Sequence, residues 1–433
     1  MRIAVTGAGL AGVTTAYELA RDGHEVIVYE RHGSIAAEGS FAPACVLAPG
    51  LWLAHAAVSG LGGLDRVPAK PSAWPWVWQR WRSARQPAHG ARLACLRDLA
   101  QLSLERLQAI EAAHQLEHEH HAGVMALMRA PGHAARARGL LAKHASMNLP
   151  VRWLSAEEAR AIEPGLSPTL PLHGALYWPT GQTANGRQFA HALKTEALRL
   201  GARFQFQQEV TRLTPAAGGA RHQVELQAER SSTDLGESGL GVSSTGATTI
   251  ADEGPQTFDA VVLCSAEAAS RLLAGPARPR IAWGHVHSVT APRHIATEAS
   301  ETFGPRSAVL DPAAGITVGR MGDRLRVAGG AAFGTAPTRP SEPVLARLFA
   351  ALEETFPGAT RTARAQPWVG RQSQLVDGLP AVGRAQAAGL WLNIGHGPNA
   401  WAQTTACAQL LADQLAGRPA VFDCTTIDPA RLR

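Results

Sequence analysis

Gly7-Ala8-Gly9-Leu10-Ala11-Gly12 sits between an apolar run at residues 2–6 and a stretch of helical spacing at residues 10–22. The apolar run reads as a buried strand, the spacing as a helix, and Gly23 as its stop. Residues 25–29 (EVIVY) then read as a second parallel strand, so the chain opens with a βαβ unit. Each glycine has a steric reason. Gly7 permits the tight turn, Gly9 lets the backbone approach a pyrophosphate, and Gly12 lets helix and strand pack closely. The start of the helix, at Leu10 and Ala11, offers free N–H groups and partial positive charge to phosphates. Glu30 follows Gly12 by 18 residues and ends the second strand, placed to accept hydrogen bonds from ribose hydroxyls. Its carboxylate would repel a 2′-phosphate, which argues against NADP. The expected dinucleotide contacts are Gly7, Gly9, Leu10, Ala11, Gly12, Glu30 and the adjacent Arg31. The unit alone leaves NAD and FAD both open.

A length of 433 residues, 45% of them hydrophobic and 18% charged, suits a compact enzyme with a substantial core. The net charge of +6 is almost all arginine, with lysine only at Lys70, Lys143 and Lys194. The cations are scattered, so a nucleic-acid partner is not expected. Five cysteines without a C-x-x-C pair fit reduced thiols in a cytoplasmic protein. The first motif begins at Arg2, leaving no room for a signal peptide, and no apolar stretch reaches the ~20 residues of a membrane span.

Further along, helices are expected at residues 92–114, 138–147, 188–200 and Glu342–Thr355, and strands at Arg203–Phe206, near Val210 and at residues 223–228 and 258–264. Residues 320–329 read as a hairpin arm. Residues 230–256, rich in Gly, Ser and Thr, read as a flexible, solvated insertion. Leu390–Ile394 reads as a last buried strand, leading through Gly395-His396-Gly397 to a helix over residues 401–415.

That last segment, Leu390 to Gly397 followed by Trp401 and a small-residue helix, resembles the C-terminal flavin segment of the D-amino-acid oxidase superfamily of FAD-dependent oxidoreductases. Within it the chain looks most like the bacterial D-amino-acid dehydrogenase small subunit. Matching stretches include Ser40 and Ala48-Pro49-Gly50, Val210, Ala260 to Ala266, Ile316 to Gly329, Trp368-Val369-Gly370 and Asp377 to Gly383. The resemblance implies an α/β fold, a glutathione-reductase-type Rossmann-like FAD domain with an interleaved α+β substrate domain. The FAD domain is expected at residues 1–85, 152–279 and 367–433, and the substrate domain at 86–151 and 280–366. It implies FAD as cofactor, with Ser40, Val210, Ala266, Gly395, Gly397 and Trp401 joining its contacts. It also implies oxidative deamination of D-amino acids to 2-oxo acids and ammonia, with electrons passed to a membrane quinone or other respiratory acceptor. The alternatives are a related amine oxidase acting on glycine- or sarcosine-like substrates, and a flavin-binding relative that has lost catalysis.

The departures from the family pattern concern the substrate side. The flavin loop carries Pro43-Ala44-Cys45 where the family has Asn-Ala-Gly, and Pro398-Asn399-Ala400 replaces Thr-Leu-Gly. The family's Gly-x-Arg-Pro, whose arginine grips the substrate carboxylate, reads Gly370-Arg371-Gln372-Ser373. Glutamine offers only neutral hydrogen bonds there. Arg371 lies one residue early and faces the other way on a regular strand unless a bulge intervenes. Arg371, Gln372, His396 and His287, with His285 beside it, are the substrate-side candidates. No metal centre is expected. His114, His118, His120 and His121 invite one, but His118 and His120 fall on an expected strand, and no cysteine or carboxylate set completes a site. Residues 74–82 (WPWVWQRWR) suit either a peripheral membrane contact or aromatic core packing.

Overall fold

A computed structural model describes the chain except residues 60–73, 84, 87, 216–223, 231–253, 275–277, 295–302, 335–336 and 433. Most of the expected insertion at 230–256 therefore lies outside the described residues.

Two large sheets organise the molecule. The first runs, edge to edge, Ala381–Arg384, Leu390–Ile394, Ala260–Leu263, Arg2–Thr6, Glu25–Glu30 and Arg203–Phe206. All neighbours are parallel except the Ala381–Arg384 edge. The four apolar strands Arg2–Thr6, Glu25–Glu30, Ala260–Leu263 and Leu390–Ile394 are almost wholly buried, as a parallel sheet covered on both faces requires. Helices Leu10–Arg21, Gly186–Arg199 and Thr404–Leu415 cover one face, and the antiparallel ribbon of Gln208–Pro215, Val224–Arg230 and Gln256–Phe258 covers the other. This is a Rossmann-like, doubly covered parallel sheet.

The second sheet has nine strands, in the order Gln366–Leu375, Ile281–Pro292, Arg324–Phe333, Ile316–Met321, Ala308–Asp311, His121–Leu127, Ala175–Thr183 and Val46–Leu47, with Arg152–Leu154 also pairing Ala175–Thr183. One face, carrying Val289, Val318 and Val327, packs on helix Glu342–Thr355. The other carries Val124, Trp178 and Ala308 under helices Trp52–Val58 and Pro131–Lys143. Further along that second face the register lines up Gly319, Arg326 and Thr290, then Ser288 with Trp368 and Gly284 with Gln372.

Sheet membership corrects the expected boundaries. Helix His89–His114 is expected with the substrate half, but Leu99, Leu104, Leu107 and Ile110 join the core of the nucleotide sheet. Strands Ala175–Thr183 and Gln366–Leu375 are expected with the FAD half and belong to the nine-stranded sheet. Periodicity reports that a segment has an apolar face and is silent on which partner covers it. Residues 258–264 are likewise two strands in different sheets, split at Asp259.

Candidate functional site

The first turn has the tight geometry its glycines suggest. Gly7 has φ +86°, and its N–H donates to the Tyr29 carbonyl at 2.8 Å. A Cβ on Gly12 would lie 1.8 Å from the Gly7 carbonyl oxygen, so no larger residue fits there. A Cβ on Gly9 would meet only the Ser40 hydroxyl, at 3.3 Å, and otherwise open space. The Glu30 carboxylate accepts from the Ala8 N–H at 2.6 Å and the His32 N–H at 2.9 Å. Burial raises the Glu30 carboxyl above its ordinary range, and those two N–H groups oppose the shift.

The turn opens into a half-open groove with an enclosed volume of about 200 Å³. Gly7, Gly9, Glu30, Arg31, Ser40, Val210 and Ala266 all line it. Leu10, Ala11 and Gly12 form the helix start behind it. The Ser40 hydroxyl accepts from the Leu10 N–H at 3.1 Å, capping the donor at the end of the positive helix terminus. The groove sits at the carboxyl ends of parallel strands, where such sheets bind nucleotides. Its charge is arranged around Glu267, which pairs Arg31 at 3.0 Å and Arg371 at 3.2 Å. Burial works against the charge on Arg31, but Glu267 and Glu38 outweigh it and hold the guanidinium cationic. Burial would likewise raise Glu38, yet His32 and Arg31 bring its carboxyl down to about 2. Two glycines, a helix start, an acid at the end of the second strand and two guanidiniums fit the ADP half of a dinucleotide.

The profile of the family described as FAD dependent oxidoreductase (DAO) matches residues 2–414. The chain belongs to that family. FAD is its cofactor. Solved structures share the fold over almost the full length. Glycine oxidase from Geobacillus kaustophilus matches with TM-score 0.68 and 21% identity over 99% of this chain and 98% of that one. L-Proline dehydrogenase from P. horikoshii matches at 0.68 and 16%, over 99% and 97%. Iminodiacetate oxidase from Chelativorans sp. BNC1 matches at 0.65 and 21%, over 99% of each chain.

The second glycine turn meets the first through helices. Strand Leu390–Ile394 lies in the same sheet, two strands from Arg2–Thr6. Asn393 donates to the Thr15 hydroxyl at 2.9 Å, and the hydroxyls of Thr14 and Thr404 lie 3.3 Å apart. Gly395, Gly397 and Trp401 do not line the ADP groove. A Cβ on Gly395 would press Leu375 at 2.7 Å, and one on Gly397 would lie 3.3 Å from Gln374. Trp401 is buried edge-on to Phe189, its ring also 3.4 Å from a Cβ placed on Gly186.

The substrate-side residues divide between two faces. Strand Gln366–Leu375 pairs Ile281–Pro292 in unbroken register, so no bulge brings Arg371 to the place of Gln372. Arg371 turns toward the ADP groove with Ser373 and Trp283, its guanidinium 3.9 Å from the Trp283 ring centre. Gln372 lies on the opposite face. The expected anchor therefore stands in the groove beside Arg31 and Glu267. His287 shares the Arg371 face, beneath helix Glu342–Thr355 and 3.8 Å from a Cβ placed on Gly330, which moves it away from the loop after Ser40. His396 pairs by backbone with Gln374, and its Nε2 is buried without a hydrogen bond. Burial lowers that imidazole to about 4, so it is neutral at physiological pH.

Two functional features go beyond what the sequence signals. The loop after Ser40 is pinned to the nine-stranded sheet: Phe41 stacks on Trp368, Ser288 donates to the Ala42 carbonyl at 2.8 Å, and Thr183 to that of Ala44 at 3.1 Å. Arg326 donates to the Pro43 carbonyl at 3.1 Å and the Thr290 hydroxyl at 2.9 Å. It is 5% exposed, and burial lowers it to about 10. Both of these acceptors are neutral. In sequence Arg326 is one arginine in a strand that also holds Arg324, with no signal of its burial.

The second concerns the histidines. His118 and His120 precede the strand His121–Leu127 rather than lying in it, and the Glu111 carboxylate joins them. This carboxylate, not expected from the sequence, comes from the last turn but one of the preceding helix. His114 is engaged elsewhere, with the Tyr17 hydroxyl at 2.7 Å and Glu196 at 3.2 Å. Burial pushes the thiols of Cys45 and Cys95 up to about 11 and that of Cys264 to about 12, so none is a thiolate nucleophile at neutral pH.

Proposed function

We propose that this flavoprotein oxidises an amino acid at its Cα–N bond, with D-amino acids as substrates and a membrane quinone as acceptor. The observation that carries the amino-acid reading is Arg326, a buried guanidinium hydrogen-bonded to neutral acceptors directly under the Pro43 loop. Such a cation is stabilised by an anion, and a substrate carboxylate supplies one. The solved structures of the same fold named glycine oxidase, L-proline dehydrogenase and iminodiacetate oxidase support the class, all three names being those of amino or imino acids. The D configuration rests on the motif resemblance described above.

Bound FAD would supply a two-electron acceptor for the hydride leaving the substrate α-carbon. The chain's own residues bind and orient. Gly7, Gly9 and the Leu10–Arg21 helix start take the pyrophosphate, Glu30 the ribose, and Arg31 with Arg371 the phosphate charge. Gln372 and the neutral His396 flank the substrate side as neutral hydrogen-bonding groups. No strong base is required of a side chain, since the neutral amine can arise by loss of a proton to water. The quinone acceptor draws support from helix Trp74–Ser83. Trp74, Trp78 and Trp81 recur at one-turn spacing and are 63%, 56% and 40% exposed, with Arg82 and Arg85 over the Trp78 and Trp81 rings. Indoles with cations favour an anionic bilayer interface.

Anaerobic mixing with D-amino acids, L-amino acids and N-methyl amines, followed by flavin bleaching, tests the reading. Bleaching by D-amino acids alone supports it; bleaching by L-amino acids or N-methyl amines redirects it to a related amine oxidase. A flavin that stays oxidised throughout favours the flavin-binding relative without amine oxidation, for which Gln372 in place of arginine is the specific observation. Reoxidation by a quinone analogue against oxygen separates dehydrogenase from oxidase.

A further inference from the structure

We infer that Glu111, His118 and His120, none of which lines the ADP groove, form a binding site for one divalent transition-metal ion, whatever the substrate proposed above. One carboxylate oxygen and one nitrogen from each imidazole all lie within 4.8 Å of one another. His118 is fully buried, and its Nε2 stands 2.9 Å from Glu111 Oε1. Despite that distance, neither atom makes a hydrogen bond of acceptable direction, and His118 Nδ1 has none either. Such a buried contact is costly unless a ring proton makes it an ion pair or a cation takes both electron pairs. A cation between them removes that cost. Two ligands held about 2.1 Å from one ion at the tetrahedral angle lie about 3.4 Å apart; the Glu111–His118 pair stands at 2.9 Å and the whole set lies within 4.8 Å, so small side-chain shifts bring it to that geometry.

The third ligand supplies access. His120 is exposed, stacked at 5.2 Å and 25° on the His118 ring, and can swing to close the set. The connecting backbone is braced. Glu119 takes φ +52°, and its carboxylate turns away from the histidines to accept from Arg324 at 2.8 and 2.9 Å and from Asn185 at 2.8 Å. The Asn185 N–H donates to the His118 carbonyl at 2.9 Å. Two imidazoles and one carboxylate, with no thiolate, suit zinc, cobalt or nickel rather than magnesium or calcium. Remaining positions would be filled by water. An ion here would tie the end of helix His89–His114, in the nucleotide half, to the segment entering the nine-stranded sheet. It would also stiffen the wall formed by His118, Phe189 and Trp401.

The test uses full-length, tag-free protein stripped with chelator, titrated with Co(II) by visible spectroscopy and with Zn(II) by calorimetry. Wild type should bind one equivalent with release of protons at low pH, and its melting temperature should rise with metal concentration. His120→Ala, at an exposed position, should fold, keep its flavin absorbance and bind about tenfold more weakly or worse. Glu111→Gln should do likewise, while His173→Ala, an exposed histidine elsewhere, should bind as wild type. Unchanged affinity in His120→Ala overturns the inference, as does stripped wild type that binds no stoichiometric ion. Neither result bears on amine oxidation, which is read from flavin bleaching.

Discussion

Gly12 shows how completely a single position can be constrained. Its absent Cβ leaves room for the Gly7 carbonyl, and the clash of a methyl group would be with backbone, which cannot rotate away. Gly12→Ala should therefore prise the first helix from the first strand. Little or no FAD should be retained, measured by flavin content per chain after desalting; a variant that keeps its full complement refutes this. Arg371 makes the opposite kind of case, a residue whose type is evident in the sequence but whose direction is not. Because it joins Arg31 on Glu267 in the ADP groove, Arg371→Gln should weaken FAD binding by about tenfold, the worth of one charge-assisted hydrogen bond. KM for the amine should be nearly unchanged at saturating FAD. A raised KM with unaltered FAD affinity would return Arg371 to the substrate.

Among the elements, helix Trp74–Ser83 has its two sides doing different things. Trp76 packs against Phe333 at 4.5 Å, and Arg80 reaches the Val376 carbonyl, so one side holds the helix to the protein. Trp74, Trp78 and Trp81 project outward. Replacing Trp74 and Trp78 with alanine should lower binding to anionic liposomes severalfold without altering the melting temperature. Replacing Trp76 should lower the melting temperature instead. Equal liposome binding by wild type and the double variant would remove the membrane proposal. Strand Gln366–Leu375 carries the other lesson. An odd and an even residue cannot exchange roles while its register with Ile281–Pro292 is unbroken, so the shift of arginine by one position moves a charge between two sites.

Taken as one folded body, the protein holds buried ionisable groups that bend its stability against pH. Glu163 is buried, and its carboxylate accepts from the Arg306 N–H at 2.8 Å. Burial pushes its carboxyl up to about 7. A carboxyl raised above its unfolded value stabilises the fold at low pH, and that contribution is lost as pH rises from about 4.5 through about 7. His396 slopes the other way, its contribution falling away as pH drops from about 6.5 through about 4. Glu163→Gln should remove the alkaline loss, so its advantage over wild type should grow between pH 5 and pH 8, by on the order of 3 kcal/mol at most. Denaturant titrations at several pH values check this. A constant difference across that range would mean that Glu163 ionises normally in the fold. Among the described residues, no helix is long and apolar enough to cross a membrane.

Local chemistry is legible in the sequence by itself. A turn that only glycine permits, a helix start and an acid at the end of the next strand lie within 30 residues, so their physics is written in consecutive letters. Helix Glu342–Thr355 and strand Leu390–Ile394 have the bounds their patterns predict for the same reason. Relations between distant segments are not legible there. That helix His89–His114 packs with the core of the nucleotide sheet, that Arg371 lines the groove while Gln372 takes the opposite face, that Arg326 is buried and that Glu111 reaches His118 all depend on which surfaces meet. Apolar periodicity marks a surface for burial without naming its partner, because the hydrophobic effect has no direction. Packing and strand register choose the partner, and with it the sites assembled across the join.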